Sequence, residues 1–140
     1  MLNCIRFFTL SIIATCIISC KKNNTTTQVT TLVGDPGSCV SSVAGTYTKG
    51  LAFNGSQNVT VQIDVKRVPS NVSISTNTVN GVFFQNPSTN LTFTTLGVQN
   101  VVIGGTGTPI NSGTYTFIVT HARSFDPSDK STCTFTLTFN

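Results

Sequence analysis

Cys133-Thr134-Phe135-Thr136-Leu137-Thr138-Phe139 alternates without a break, apolar at every odd position and threonine at every even one. Successive side chains of a strand point to opposite faces, so this segment reads as a half-buried β-strand with Cys133 on the inward face beside Phe135, Leu137 and Phe139. The same period of two governs Val59-Thr60-Val61-Gln62-Ile63-Asp64-Val65 and returns in Val72, Ile74 and Thr76. Val79-Asn80-Gly81-Val82 carries the Asn-Gly signal of a tight hairpin. Leu91 and Phe93 alternate with threonines, residues 98–103 form a further strand ended by Gly104-Gly105, and Tyr115, Phe117 and Val119 share one face with Ile118 on the other.

With one more strand near residues 45–53, about seven to eight short strands follow one another at roughly 8–12-residue spacing. Thr, Val, Phe and Ile dominate them, and no apolar stripe of helical period is present. The fold class is therefore all-β, an antiparallel β-sandwich of immunoglobulin-like size; a closed β-barrel is the alternative.

Upstream, Arg6 is the one charge before an apolar run from Phe7 to Ile18. About a dozen residues are too short to cross the roughly 30 Å hydrocarbon core as a helix, and the segment has the anatomy of a signal peptide. Ile17-Ile18-Ser19-Cys20 resembles the lipobox of bacterial lipoproteins, in which a small residue precedes the cysteine that becomes the acylated N-terminus. That resemblance implies cleavage after residue 19, lipidation of Cys20 and a membrane partner through the lipid anchor. Lys21 after the cysteine is similar to outer-membrane sorting signals, so the expected location is the bacterial cell envelope, at the outer membrane, facing either the periplasm or the surface. Residues 21–33 (KKNNTTTQVTTLV) read as a flexible polar tether, and Gly34-Asp35-Pro36-Gly37 as the turn that closes it. The expected organisation is a signal peptide at 1–19, lipidated cysteine and tether at 20–38, and sandwich at 39–140.

The chain has five cysteines. Cys4 and Cys16 leave with the signal peptide and Cys20 takes lipid, which leaves Cys39 and Cys133 to form a disulfide in an oxidising compartment. A metal site needs more ligands than two distant cysteines and one histidine, and no metal or other cofactor is expected.

Further motifs carry a resemblance to a family. Thr106-Gly107-Thr108-Pro109, Ser112-Gly113-Thr114-Tyr115-Thr116-Phe117 and the closing Thr132-Cys133-Thr134-Phe135 resemble the second half of bacterial immunoglobulin-like domains. Gly45-Thr46-Tyr47, Val79-Asn80-Gly81 and Gly97-Val98-Gln99 are similar to repeat modules of large surface proteins of Gram-negative bacteria. The resemblance implies a non-catalytic interaction or spacer module of the cell envelope. An adhesin or carbohydrate-binding subunit is the alternative, with a protein or glycan as partner.

From Cys39 onward five cations (Lys49, Lys66, Arg67, Arg123, Lys130) face three aspartates, and the chain has no glutamate. So sparse a charge set offers no electrostatic footprint for nucleic acid and no carboxylate pair for glycoside hydrolysis. His121 is the one imidazole, and it reads as a partly exposed residue at a strand end. Ser124, His121 and Asp126 include the residue types of a catalytic triad, but Ser124 sits in no nucleophile elbow and nothing supplies an oxyanion hole; no enzyme activity is expected. Residues 122–130 read as a loop with Asp126-Pro127-Ser128-Asp129 as its turn, facing away from the membrane. Phe125, Asp126 and Asp129 are its candidate ligand contacts. Phe83-Phe84 is a second candidate for exposure, because adjacent side chains on a strand cannot both point inward.

Overall fold

The computed structural model of the protein describes residues 29–123 and 125–140. The expected signal peptide, the lipidation site Cys20, the first part of the tether and Ser124 lie outside the described residues.

Nine strands are present among the described residues: β1 (Thr30–Leu32), β2 (Ser41–Ala44), β3 (Asn58–Val65), β4 (Ser70–Thr76), β5 (Val82–Gln85), β6 (Leu91–Phe93), β7 (Gly97–Gly107), β8 (Gly113–Arg123) and β9 (Asp126–Phe139). All strand pairs are antiparallel. One layer runs β1/β2-β3-β7-β5, with β1 and β2 occupying successive lengths of the same edge of β3. The other runs β6-β4-β8-β9. This is the immunoglobulin-like plan of a four-stranded layer facing a three-stranded one, with β6 as an added edge strand. The two layers are stitched along both sides, by the single pair Ser75↔Gln85 between β4 and β5 and by the parallel bridge Ser38↔Thr134. The sandwich therefore retains a trace of the barrel closure that the strand count also allowed.

The alternating residues fill the space between the layers. Val59, Val61, Ile63 and Val65 of β3 face Val72, Ile74, Phe117, Val119, Phe135, Leu137 and Phe139 in one continuous core. The Asn80-Gly81 turn forms as expected: both residues have positive φ, and Val79 and Val82 exchange backbone hydrogen bonds of 2.9 and 3.0 Å. Phe84 is fully buried while Phe83 points to the opposite face and is half-buried.

Several expectations are corrected. Strand β7 continues through Gly104 and Gly105 instead of ending there. Gly105 is needed because a Cβ at that position would come within 2.7 Å of the Phe53 ring and 2.8 Å of Phe84. Residues 45–53 form no strand; they belong to a loop, 45–57, in which Gly45, Gly50 and Gly55 adopt positive φ. Tyr47 plugs this loop into the core, its hydroxyl donating to the carbonyls of Ala44 (2.8 Å) and Asn58 (3.2 Å). The tether boundary also shifts. Val29, Thr30 and Leu32 are buried and β1 pairs with β3, so the fold begins at least ten residues before Cys39. The threonine-rich composition of this segment suits a half-buried edge strand as well as it suits a solvated linker.

Candidate functional site

The candidate loop at residues 122–130 is a hairpin. Strand β8 extends to Arg123 and β9 starts at Asp126, with a register irregularity at Ala122/Arg123. Ala122 pairs with Lys130 and Arg123 with Asp126, so the intervening residues of β9 bulge from the ladder. The hairpin separates the three candidate contacts. Phe125 stands at its tip, 81 % exposed. Asp126 turns back on its own segment, where its Oδ1 accepts hydrogen bonds from the Ser128 backbone N–H and hydroxyl. The Ser128 hydroxyl, then its backbone N–H, hold the Asp126 carboxyl below the ordinary range. Asp129 is fully buried instead of facing a ligand, because it continues the inward parity of Ser131 and Cys133 and so lies beneath β1. One of its oxygens accepts the Val29 N–H at 3.1 Å, and the other has no hydrogen-bond partner among the described residues.

His121 is likewise corrected. It lies within β8, fully buried, on the face it shares with Phe117 and Val119. Its Nε2 is 2.6 Å from the Thr30 hydroxyl and its Nδ1 3.3 Å from that of Ser131, which also accepts the Leu32 N–H at 2.8 Å. Thr30, His121, Asp129 and Ser131 thus form an enclosed polar cluster that fastens β1 to β8 and β9. A neutral imidazole suits it, since each hydroxyl can donate to a bare ring nitrogen or accept from a protonated one. Burial pushes the His121 pKa down, opposed by the nearby charges of Asp129 and Asp35.

Of Ser124, His121 and Asp126, the first lies outside the described residues, and the other two are committed to different partners. Ser131 replaces Ser124 beside the histidine, but none of the four cluster residues is more than 3 % exposed. Among the described residues no three His, Cys, Asp or Glu side chains stand close enough to hold a metal ion. What the arrangement does chemically is hold a strand in place.

Cys39 and Cys133 are joined by a disulfide, their Cα atoms 5.0 Å apart. The bridge sits where the layers meet, flanked by hydrogen bonds from Cys39 N to Thr134 O (2.8 Å) and from Thr134 N to Gly37 O (2.9 Å). It ties the N-terminal edge to the last strand, unlike the bridge between the two central strands in antibody domains.

The outer face of β3, β7 and β5 bears a shallow cleft of about 360 Å³ lined by Asn58, Gln85, Pro87, Val102 and Thr106, with Gly104 and Gly105 in its floor. No signal in the strand pattern alone marked this cleft, since its residues, Gly55 among them, come from three strands and two loops.

No family model and no curated protein matches the chain. Among solved structures it is similar to the ASH / PapD-like domain of human CEP192 (PapD-like domain 7), at 13 % sequence identity over 74 % of this chain and 85 % of that one, with a TM-score of 0.35.

Proposed function

We propose that the chain is a non-catalytic bacterial lipoprotein of the cell envelope, anchored through acylated Cys20 and presenting its immunoglobulin-like sandwich as an interaction or structural module. The observation that carries this reading is the disulfide between Cys39 and Cys133. Such bonds persist in oxidising compartments, and this one uses the two cysteines that an acylated Cys20 and a removed signal peptide leave over. The apolar run and lipobox-like stretch ending at Cys20 agree with export. Two or three acyl chains then hold the protein on the bilayer almost irreversibly.

Intact-mass measurement on the membrane fraction tests it. The expected species starts at Cys20, carries acyl adducts and lacks two hydrogens for the bridge. A species that retains Met1, or a Cys20→Ser chain that stays as firmly on membranes, defeats the anchor.

A second reading, an adhesin or carbohydrate-binding subunit, draws support from the cleft over Gly104 and Gly105, whose walls set two uncharged amides and a hydroxyl beside the apolar Pro87 and Val102. Binding on a glycan array that is lost in Gln85→Ala with Asn58→Ala would favour it over a structural role.

A further inference from the structure

The strand registers place the loops of the sandwich at two opposite ends. Residues 66–69, residues 94–96 and the β8–β9 hairpin tip lie at one end, together with Val29, where the chain enters the fold. Residues 45–57, 77–81 and 108–112 lie at the other. Of the five cations among the described residues, Lys66, Arg67, Arg123 and Lys130 belong to the first end and only Lys49 to the second. The first end also presents Phe125 and Leu96, 81 % and 63 % exposed, with Val98 exposed just above.

Exposed apolar side chains alone do not distinguish the ends, since Leu51 and Ile110 are exposed at the other. Their combination with the cations does. Asp64 and Asp126 are the partly exposed carboxylates on the strands and hairpin of the cationic end, and Asp129 is buried there. Asp35, also partly exposed, accepts the Thr132 N–H at 2.8 Å slightly further along β9. The four cations still outnumber the carboxylates that reach the surface near them.

We propose that this end is a membrane-docking face: Phe125 and Leu96 dip into the interfacial region of the bilayer while Lys66, Arg67, Arg123 and Lys130 meet anionic lipid headgroups. The proposal rests on the lipid-anchored reading for the nearness of a bilayer. The segment leading to Cys20 joins the fold at Val29, so a tether shortened by docking draws this end, not the opposite one, to the membrane. Rings and aliphatic side chains flanked by Lys and Arg are the chemistry that settles at a headgroup boundary. The expected orientation of residues 122–130 away from the membrane is thereby reversed: the hairpin faces the lipid and the 45–57 and 108–112 loops face outward.

The chain contains no tryptophan, so Phe125→Trp in the full chain is a single reporter, with Leu51→Trp as its counterpart at the other end. Both are bound to vesicles of phosphatidylglycerol and phosphatidylcholine carrying brominated acyl chains, and to vesicles of phosphatidylcholine alone. Phe125→Trp emission should shift to the blue and be quenched on the anionic vesicles, several-fold more than Leu51→Trp. Lys66→Glu with Arg67→Glu should cut that quenching by about fivefold or more, and added salt should weaken it. A Phe125→Trp signal that stays solvent-like on vesicles to which the chain is attached overturns the proposal, as does equal quenching at both ends or insensitivity to the charge reversals. Protection of Phe125→Trp only by an added envelope protein also overturns it. The anchor is judged apart from this, by mass: an acylated chain with a solvent-like reporter sinks the face alone, and an unacylated chain whose reporter is still quenched sinks the anchor alone.

Discussion

The two ends of the core are closed by opposite chemistries. Toward the 45–57 loop, Tyr47, Phe53, Phe84, Phe117, Phe135, Phe139 and Tyr115 form a network of rings with centroids 5.2–6.4 Å apart. Toward the hairpin, the space beneath β1 is filled by Thr30, His121, Asp129 and Ser131. Ring packing depends mainly on volume and burial, so it stabilises strongly without selecting one alignment of the chain. Hydrogen bonds are directional and costly to leave unmade, so the polar end contributes less net stability but dictates where β1 sits. Each end also couples to a different pH range.

The largest test of this contrast is Phe84→Ala, which removes the ring at the centre of the aromatic end. It should lower stability by about 3–5 kcal/mol in denaturant unfolding. A loss below that of any cluster substitution would mean that the rings are not the main source of stability. The disulfide lies midway along β9, between the two ends. Cys39→Ser with Cys133→Ser should cost about 2–5 kcal/mol, and hydrogen exchange should then rise first in residues 29–39. Uniform acceleration across β3 and β8 would show that the bridge does not specifically hold the edge.

His121→Leu should cost about 1–3 kcal/mol by removing the ring partner of the Thr30 hydroxyl and one of the two partners of the Ser131 hydroxyl. Because burial depresses the folded pKa of His121, the unfolded chain takes up a proton first as pH falls. The histidine's contribution is complete above the unfolded value of about 6.5 and declines as pH drops below it toward the folded value. Melts at neutral and mildly acidic pH should diverge in the native chain and less so in His121→Leu; parallel behaviour removes His121 as the sensor. Tyr47→Phe should have the smallest effect, about 0.5–1.5 kcal/mol for the lost hydroxyl bonds. Burial raises the Tyr47 pKa to about 12, so its contribution is present below the unfolded value of about 10 and is lost as pH climbs from there to the folded value. The alkaline limb of the stability profile should flatten in Tyr47→Phe while the acid limb is unchanged.

The strands that line the core were legible because alternation of apolar and polar residues is itself the physical cause of a half-buried strand. Val59 to Val65 and Cys133 to Phe139 fold as their period dictates. The polar cluster was legible in part. His121 continues the parity of Phe117 and Val119, and Ser131 and Asp129 continue that of Cys133, so extending the alternation through the polar residues places all three inward. Ending each strand at its last apolar residue concealed this. β1 gave no such signal, since three residues are too few for a period and its burial depends on partners about a hundred residues away.

Side-chain alternation, an Asn-Gly turn and two cysteines at opposite ends of the folded segment are local properties, and from them the chain by itself determined an antiparallel all-β sandwich with a bridge available to close it. Which polar groups would be enclosed, that a threonine-rich stretch would serve as a strand, and that the hairpin tip would stand beside the point where the chain enters were decided only in three dimensions. Those outcomes depend on the register between distant strands, and register is set by how the whole core closes.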